Sequence, residues 1–222
     1  MHRLTAKPSL VAVIRRFSAT LAVAVLGLAA AAPSYANLVV DGNFANPNVG
    51  TGWNAYSNGA VPGWTNTSNR DGIEIDYSAI LGGSAYQGTT QSAELNGTTW
   101  DTISQTITGL VVGADYILSW AYGERPGSGQ QETIVSFGGN PVTTDTSSGN
   151  ATNLTWTLNT FDVTATSTTE TLNFAAVAGL GSPSVGNEIT AVSLTKYVPE
   201  PATLLLMAAG ALGFLIRRRN TL

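Results

Sequence analysis

The chain has 222 residues, no cysteine and a formal net charge of −4. Its one histidine is His2, so the body can build neither a Ser-His-Asp triad, a Cys-His dyad, an ordinary zinc site nor a disulfide. Between Asn37 and Val198 three bases (Arg70, Arg125, Lys196) stand against 13 acids, and a body of net −10 repels phosphate backbones and excludes nucleic acid as a partner.

The first 36 residues read as an export address. Basic residues (Arg3, Lys7, Arg15, Arg16) precede an apolar core from about Leu21 to Ala32. Pro33 and small residues follow, with Ser34 and Ala36 at the −3 and −1 positions of a cleavage site. The pattern predicts a secretory signal peptide removed after Ala36 by signal peptidase, once the secretion translocon has engaged it. The Arg15-Arg16 pair raises the twin-arginine route, but its neighbours fit that route poorly.

Residues 37–197 show no helical period. They contain short runs rich in Val, Ile, Thr, Tyr, Phe and Trp, broken by Gly, Asn, Pro and Ser. In chain order, "GIEID", "DTISQTI", "YILSWAY", "TIVSFGG", "TWTLNTFDVTAT", "TLNFAAV" and "EITAVSLTKY" each alternate as half-buried strands do. In "YILSWAY", Tyr116, Leu118, Trp120 and Tyr122 share one face, which makes Trp120 a core residue; Trp64 in "VPGW" is assigned to the core as well. In "EITAVSLTKY", Ile189, Ala191 and Ser193 oppose Val192 and Leu194. The Thr-rich "TATSTTETLN" reads as strand, turn, strand. The expected body is a single all-β domain of eight to ten antiparallel strands in two sheets, a β-sandwich or jelly roll.

The chain closes on Val198-Pro199-Glu200-Pro201, an apolar run from Leu204 to Ile216, and Arg217-Arg218-Arg219. The run of 13 residues covers about 20 Å as a helix, against a hydrocarbon core of about 30 Å. Pro199 and Pro201 hold the preceding segment extended, and the arginines hold the far end on the cytoplasmic side. These parts, in this order, resemble the PEP-CTERM sorting signal of Gram-negative bacteria. The resemblance implies an exosortase-type membrane protease that cuts near Pro199-Glu200-Pro201 after a transient inner-membrane stop. It further implies delivery to the cell surface or the extracellular matrix, and residues 198–222 as a separate segment.

"NLVVDGNFANP", "VPGW", "QSAELNG", "ISQTITGLVVGADYILSWAYGERPG" and "GNEITAVSL", in that order, resemble the galactose-binding-like jelly-roll modules of surface-anchored bacterial proteins, including choice-of-anchor proteins. That likeness implies an eight-stranded jelly roll that binds carbohydrate or another extracellular polymer, here an exopolysaccharide. Many such modules hold a structural calcium through an acid after the first strand's Asn-Gly-x-Phe and another in the last strand. Here Ala45 and Thr190 occupy those places, so both carboxylates are missing and the expectation is no metal and no cofactor; Asp41 and Glu188, nearby, are the oxygen donors that remain for a calcium ion.

Sugars stack their C–H faces on aromatic rings while polar neighbours bind the hydroxyls. Trp100, after the polar turn "ELNGTT", and Trp53 with Tyr56, in a stretch read as a Gly/Asn-rich loop, are therefore candidate ligand residues, together with Asn96. Arg125 in "GERPGSG" has two readings: a fork for a carboxylate of an acidic polysaccharide, or an internal pair with Glu124, Glu132 or Glu94. A glycoside hydrolase needs two carboxyl groups across a cleft, and none of the acids stands in a distinguishing context. The expectation is a protein without catalytic residues. Its rival is a purely structural coat or biofilm protein with no ligand, in which every Trp would be buried.

Overall fold

Eleven β-strands form two antiparallel sheets in the computed structural model, which describes residues 36–68, 72–97 and 99–197. The signal peptide assigned to 1–36, apart from Ala36 itself, lies outside the described residues. So does the sorting segment 198–222, with Pro199, Glu200, Pro201, Arg217, Arg218 and Arg219. The described residues between 36 and 197 form one compact unit.

The strands are β1 (Trp53–Tyr56), β2 (Trp64–Asn66), β3 (Ile73–Tyr77), β4 (Gln91–Glu94), β5 (Thr102–Thr108), β6 (Asp115–Glu124), β7 (Glu132–Phe137), β8 (Asn140–Thr146), β9 (Thr155–Thr164), β10 (Thr169–Ala176) and β11 (Glu188–Lys196). One sheet has the order β1-β3-β4-β11-β6-β9, the other β2-β5-β10-β7-β8. Successive strands cross repeatedly between the sheets, as in jelly-roll sandwiches.

Alternation drives the packing. Tyr116, Leu118 and Trp120 of β6 are at most 1% exposed, and Leu172 and Phe174 of β10 face them from the other sheet, both fully buried. Trp120 stacks on Phe161 with ring centroids 5.6 Å apart and meets Phe174 edge-on at the same distance. Trp64 lies 5.0 Å from Phe44, and both are buried. Burying aromatic pairs of this kind supplies much of a sandwich core's hydrophobic stabilisation.

Three sequence readings need correction. Among the described residues the strands number eleven rather than eight to ten, because the short β1, β2 and β4 and the Thr-rich β8 carry little apolar alternation of their own. The stretch around Trp53 and Tyr56 is strand β1, not a loop. On β11 the inward set is Ile189, Val192 and Leu194, each at most 2% exposed. The register of β11 against β6 shifts between Thr190 and Ser193, and Ala191 takes a left-handed φ of 51°. That inserted residue flips the parity of everything after it. The bulge is held by the N-terminal segment: Val192 N–H donates to the Gly42 carbonyl at 2.8 Å, and Leu194 N–H donates to Asn37 Oδ1 at 2.9 Å.

Candidate functional site

The outer face of the six-stranded sheet carries the unusual chemistry. In β3, Ile73 and Ile75 point into the core, which puts Glu74 and Asp76 on the opposite face. Strand pairing sets Glu74 opposite Glu94 of β4, and Glu94 opposite Glu188 of β11. Beyond them the same row runs through Gly123 of β6 to Trp156 of β9. Three glutamates thus stand side by side on neighbouring strands, with Asp76 one pleat along. Carboxylate oxygens of Glu74, Asp76 and Glu94 all lie within 4.8 Å of one another.

The row is buried as well as charged. Asp76 and Glu94 are 1% exposed and Glu188 is fully buried, while Glu74 is half-buried. Gly97 follows β4 over Glu74, and a Cβ at that position would sit 2.6 Å from Glu74 Oε2. Arg125 supplies the counter-charge. Its Nη1 donates to Glu94 Oε2 in a close ion pair, and the Gly186 N–H donates to Glu94 Oε1. Of the two readings of Arg125 the internal pair holds, with Glu94 as the partner. Glu124 instead accepts from the Ser148 hydroxyl at 2.7 Å and the Gly149 N–H at 2.8 Å.

Electrostatics follow from the crowding. Burial, then the charges of Glu94 and Asp76, push Glu74 up to about 8. Burial and Glu94 push Asp76 up to about 7. Glu94 and Glu188 are raised chiefly by burial, with Arg125 pulling both back. Burial lowers Arg125, but Glu94, Glu188, Asp76 and Glu74 together outweigh it and hold the guanidinium above its ordinary range. Neither Glu188 oxygen accepts a hydrogen bond of ordinary geometry; the Ser92 hydroxyl and the Asp76 carboxyl are its polar neighbours. Asp76 Oδ2 also lacks a hydrogen-bonded partner.

A cleft of about 380 Å³ opens above this floor, lined by Trp53, Glu74, Asp76, Ile80 and Arg125 among others. Trp53 stands at its rim, 61% exposed. It pairs with Asp76 across β1 and β3, so the indole shares the carboxylates' face. Tyr56, three residues on, points the other way and packs against the core. The structure therefore brings Trp53 and Arg125 together and separates Tyr56 from them. Asn96 is 1% exposed and donates to the Ser182 carbonyl at 3.1 Å; the half-buried Trp100 indole donates to the Leu180 carbonyl at 2.8 Å. Both tie down the loop that leads into β11, and neither lines the cleft. Asp41 accepts from the Ala45 and Asn46 N–H groups of its own turn, at 3.0 and 3.3 Å. Sequence reasoning left Glu74 and Asp76 among the acids without a distinguishing context, and met Glu94 only as one of three partners open to Arg125. The signal that could have joined two of them is "IEID", whose alternation already sets both acids opposite two isoleucines.

Residues 198–219 match the PEP-CTERM protein-sorting motif, so the tail carries the sorting signal its composition resembles. No curated protein is significantly similar to the chain. Among solved structures, a cyclase from Fischerella sp. TAU is similar at 14% identity and a TM-score of 0.51, over 74% of this chain and 99% of that one. A xylan-binding CBM22-1 domain from Paenibacillus barcinonensis is similar at 13% identity and a TM-score of 0.45, over 75% and 97%. A CBM35 module from the same organism is similar at 17% identity and a TM-score of 0.39, over 60% and 93%. The likeness to the cyclase bears on the sandwich fold alone.

Proposed function

We propose that this is an exported, non-enzymatic surface protein that binds a neutral polysaccharide along the cleft on the outer face of its six-stranded sheet. The sorting motif supports the destination. In a Gram-negative cell the translocon and signal peptidase would handle residues 1–36. An exosortase-type protease would act near Pro199-Glu200-Pro201, and the body would pass to the surface or the exopolysaccharide matrix.

The observation that carries the binding reading is Trp53. A large indole 61% exposed at the rim of a cleft that also presents Glu74, Asp76 and Arg125 gains by stacking a sugar ring, and its position favours a binder over a coat protein without a ligand. The hydroxyl partners are Glu74, Asp76 and the exposed part of Arg125, whose side chain is 23% accessible. The body's excess of acids over bases, with Arg125 already engaged by Glu94, favours a neutral chain over an acidic one. A non-enzymatic reading is supported by the layout of the acids: they share one floor on adjacent strands, rather than flanking a bond from two sides as a hydrolase requires.

Affinity electrophoresis of the full chain through gels containing neutral or anionic polysaccharides tests this. Retardation is expected with at least one neutral polymer. Trp53→Ala should weaken it roughly fivefold while leaving the melting temperature unchanged, since stacking on one aromatic is worth about 1 kcal/mol. Retardation unchanged by Trp53→Ala, or seen with anionic polymers alone, overturns the proposed site; no retardation with any polymer returns the coat-protein reading.

A further inference from the structure

Four carboxylates and one guanidinium share the buried floor of the cleft, and if all were ionised the patch would carry −3. A low-dielectric patch does not hold that charge bare: it is neutralised by protons or by a cation. We propose that Glu74, Asp76, Glu94 and Glu188 bind one calcium ion there.

Geometry fits the ion. Calcium–oxygen bonds of about 2.3–2.6 Å place the donors around one ion within about 5 Å of each other. The oxygens of Glu74, Asp76 and Glu94 already meet that limit without rearrangement. The independent observation is Glu188. It is fully buried and set beside Glu94 by strand pairing, and both of its oxygens lack a hydrogen-bonded partner. With Asp76 Oδ2 in the same condition, three buried acceptor atoms share one patch with only the Ser92 hydroxyl beside them as a donor, and a cation is the group that satisfies several acceptors at once. An all-oxygen donor set with neither His nor Cys selects a hard ion, and crowded carboxylates of flexible denticity suit calcium better than the strict octahedron magnesium demands. Glu74, at the half-buried end of the row beneath the cleft, gives the ion a way in. Arg125, held on one oxygen of Glu94, lowers the excess charge and with the ion brings the patch to −1.

The sequence led us to expect no metal, with Asp41 and Glu188 as the only donors left near the family's calcium position; the site here is a different one, since Asp41 is engaged in its own turn while Glu188 faces Asp76 and Glu94. It shares Glu74 and Asp76 with the polysaccharide reading but does not rest on it, because the ion would bind with no sugar present.

The test uses the full chain in detergent, stripped with a chelator, and CaCl2 as the probe. Calorimetric titration should find one ion per chain, with a dissociation constant between about 10⁻⁶ and 10⁻³ M. Saturating CaCl2 should raise the melting temperature by several degrees. The paired substitution Asp76→Asn with Glu188→Gln, which keeps shape while removing charge, should abolish both effects. Glu74→Gln, at the accessible edge, should weaken binding at least tenfold and keeps the test open if the buried pair fails to fold. An absent calcium response in the unaltered chain overturns the proposal. So does a response that survives either the paired substitution or Glu74→Gln at full strength, and so does equal stabilisation by MgCl2.

Discussion

The two sheets turn opposite kinds of outer face away from their shared core. On the five-stranded sheet the outward rows are hydroxyls and amides. Thr65, Ser104, Asn173 and Ser136 stand in register across four strands, and Thr106 is paired with Thr171 one pleat along. Thr65, Thr106 and Thr171 are exposed, and Asn173 donates to the Ser136 hydroxyl at 3.2 Å. On the six-stranded sheet the equivalent row is Glu74, Glu94 and Glu188, mostly buried. Both are polar ladders on a pleated surface, but the first is neutral, and water together with its own hydrogen bonds satisfies it even where Ser104 is buried. The second has been taken out of water, and that is what demands a counter-charge. Burial rather than polarity marks the face that does something.

The largest effect should come from breaking the counter-charge. Arg125→Met leaves Glu94, 1% exposed, without its cation. Removing one partner of a buried pair costs about 3 kcal/mol, and we expect that loss in chemical denaturation without calcium near pH 7.5. Glu94 is raised from its ordinary value by burial, so it takes up a proton readily once the guanidinium is gone. The loss should therefore shrink toward about pH 5. Adding Glu94→Gln should recover most of it. A loss that stays constant across that range, or that Glu94→Gln does not relieve, would show that Arg125 acts through packing instead.

A smaller effect is expected from a buried carboxylate that has a donor but no cation. Asp145 of β8 is 7% exposed and accepts from the Trp120 indole at 2.7 Å. Burial pushes it up to about 6, against about 3.9 in an unfolded chain. The folded state thus holds the proton more tightly. The stabilisation that the proton brings is complete below about pH 4 and is lost as pH climbs through about 6. Relative to the unaltered chain, Asp145→Asn should gain about 2 kcal/mol between about pH 4 and pH 7, since each pH unit separating the folded and unfolded values is worth about 1.4 kcal/mol. Urea titrations at both pH values check this; a gap that does not change with pH places the raised group elsewhere.

Much of the inner face was legible in the sequence, and little of the outer row was. The alternation of β6 names its buried set directly, because every second residue from Tyr116 to Tyr122 is apolar or aromatic. β11 defeats the same rule because the bulge at Ala191 is a backbone event that no side chain announces. The carboxylate row is illegible for a different reason. Glu74 and Glu188 are 114 positions apart, and only the register of β3 on β4 and of β4 on β11 puts them in one line. Arg125 could be read as a pair-former without knowing which of three glutamates it would meet. Asn96 and Trp100 stood out for their polar turn, and that turn belongs to the scaffold because its polar groups hold the loop before β11. The tail was legible because its address is written in linear order.

The smallest effect closes the comparison from the other side. If burial sets the demand for a cation, then carboxylates placed opposite each other on the open face should cost little. Thr106→Glu with Thr171→Glu creates such a facing pair across β5 and β10, at two exposed positions. Like charges directly opposite on a sheet repel, but exposed ones keep their hydration and are screened over roughly a Debye length. The expected cost is below about 1 kcal/mol, and about 0.5 M salt should remove most of it. CaCl2 at low concentration should do no more than its ionic strength predicts, because two hydrated carboxylates leave calcium little to gain from giving up its own water. A cost matching that of Arg125→Met, or a specific rescue by calcium, would mean that proximity alone creates the demand. The buried row on the six-stranded sheet would then lose its claim to be special.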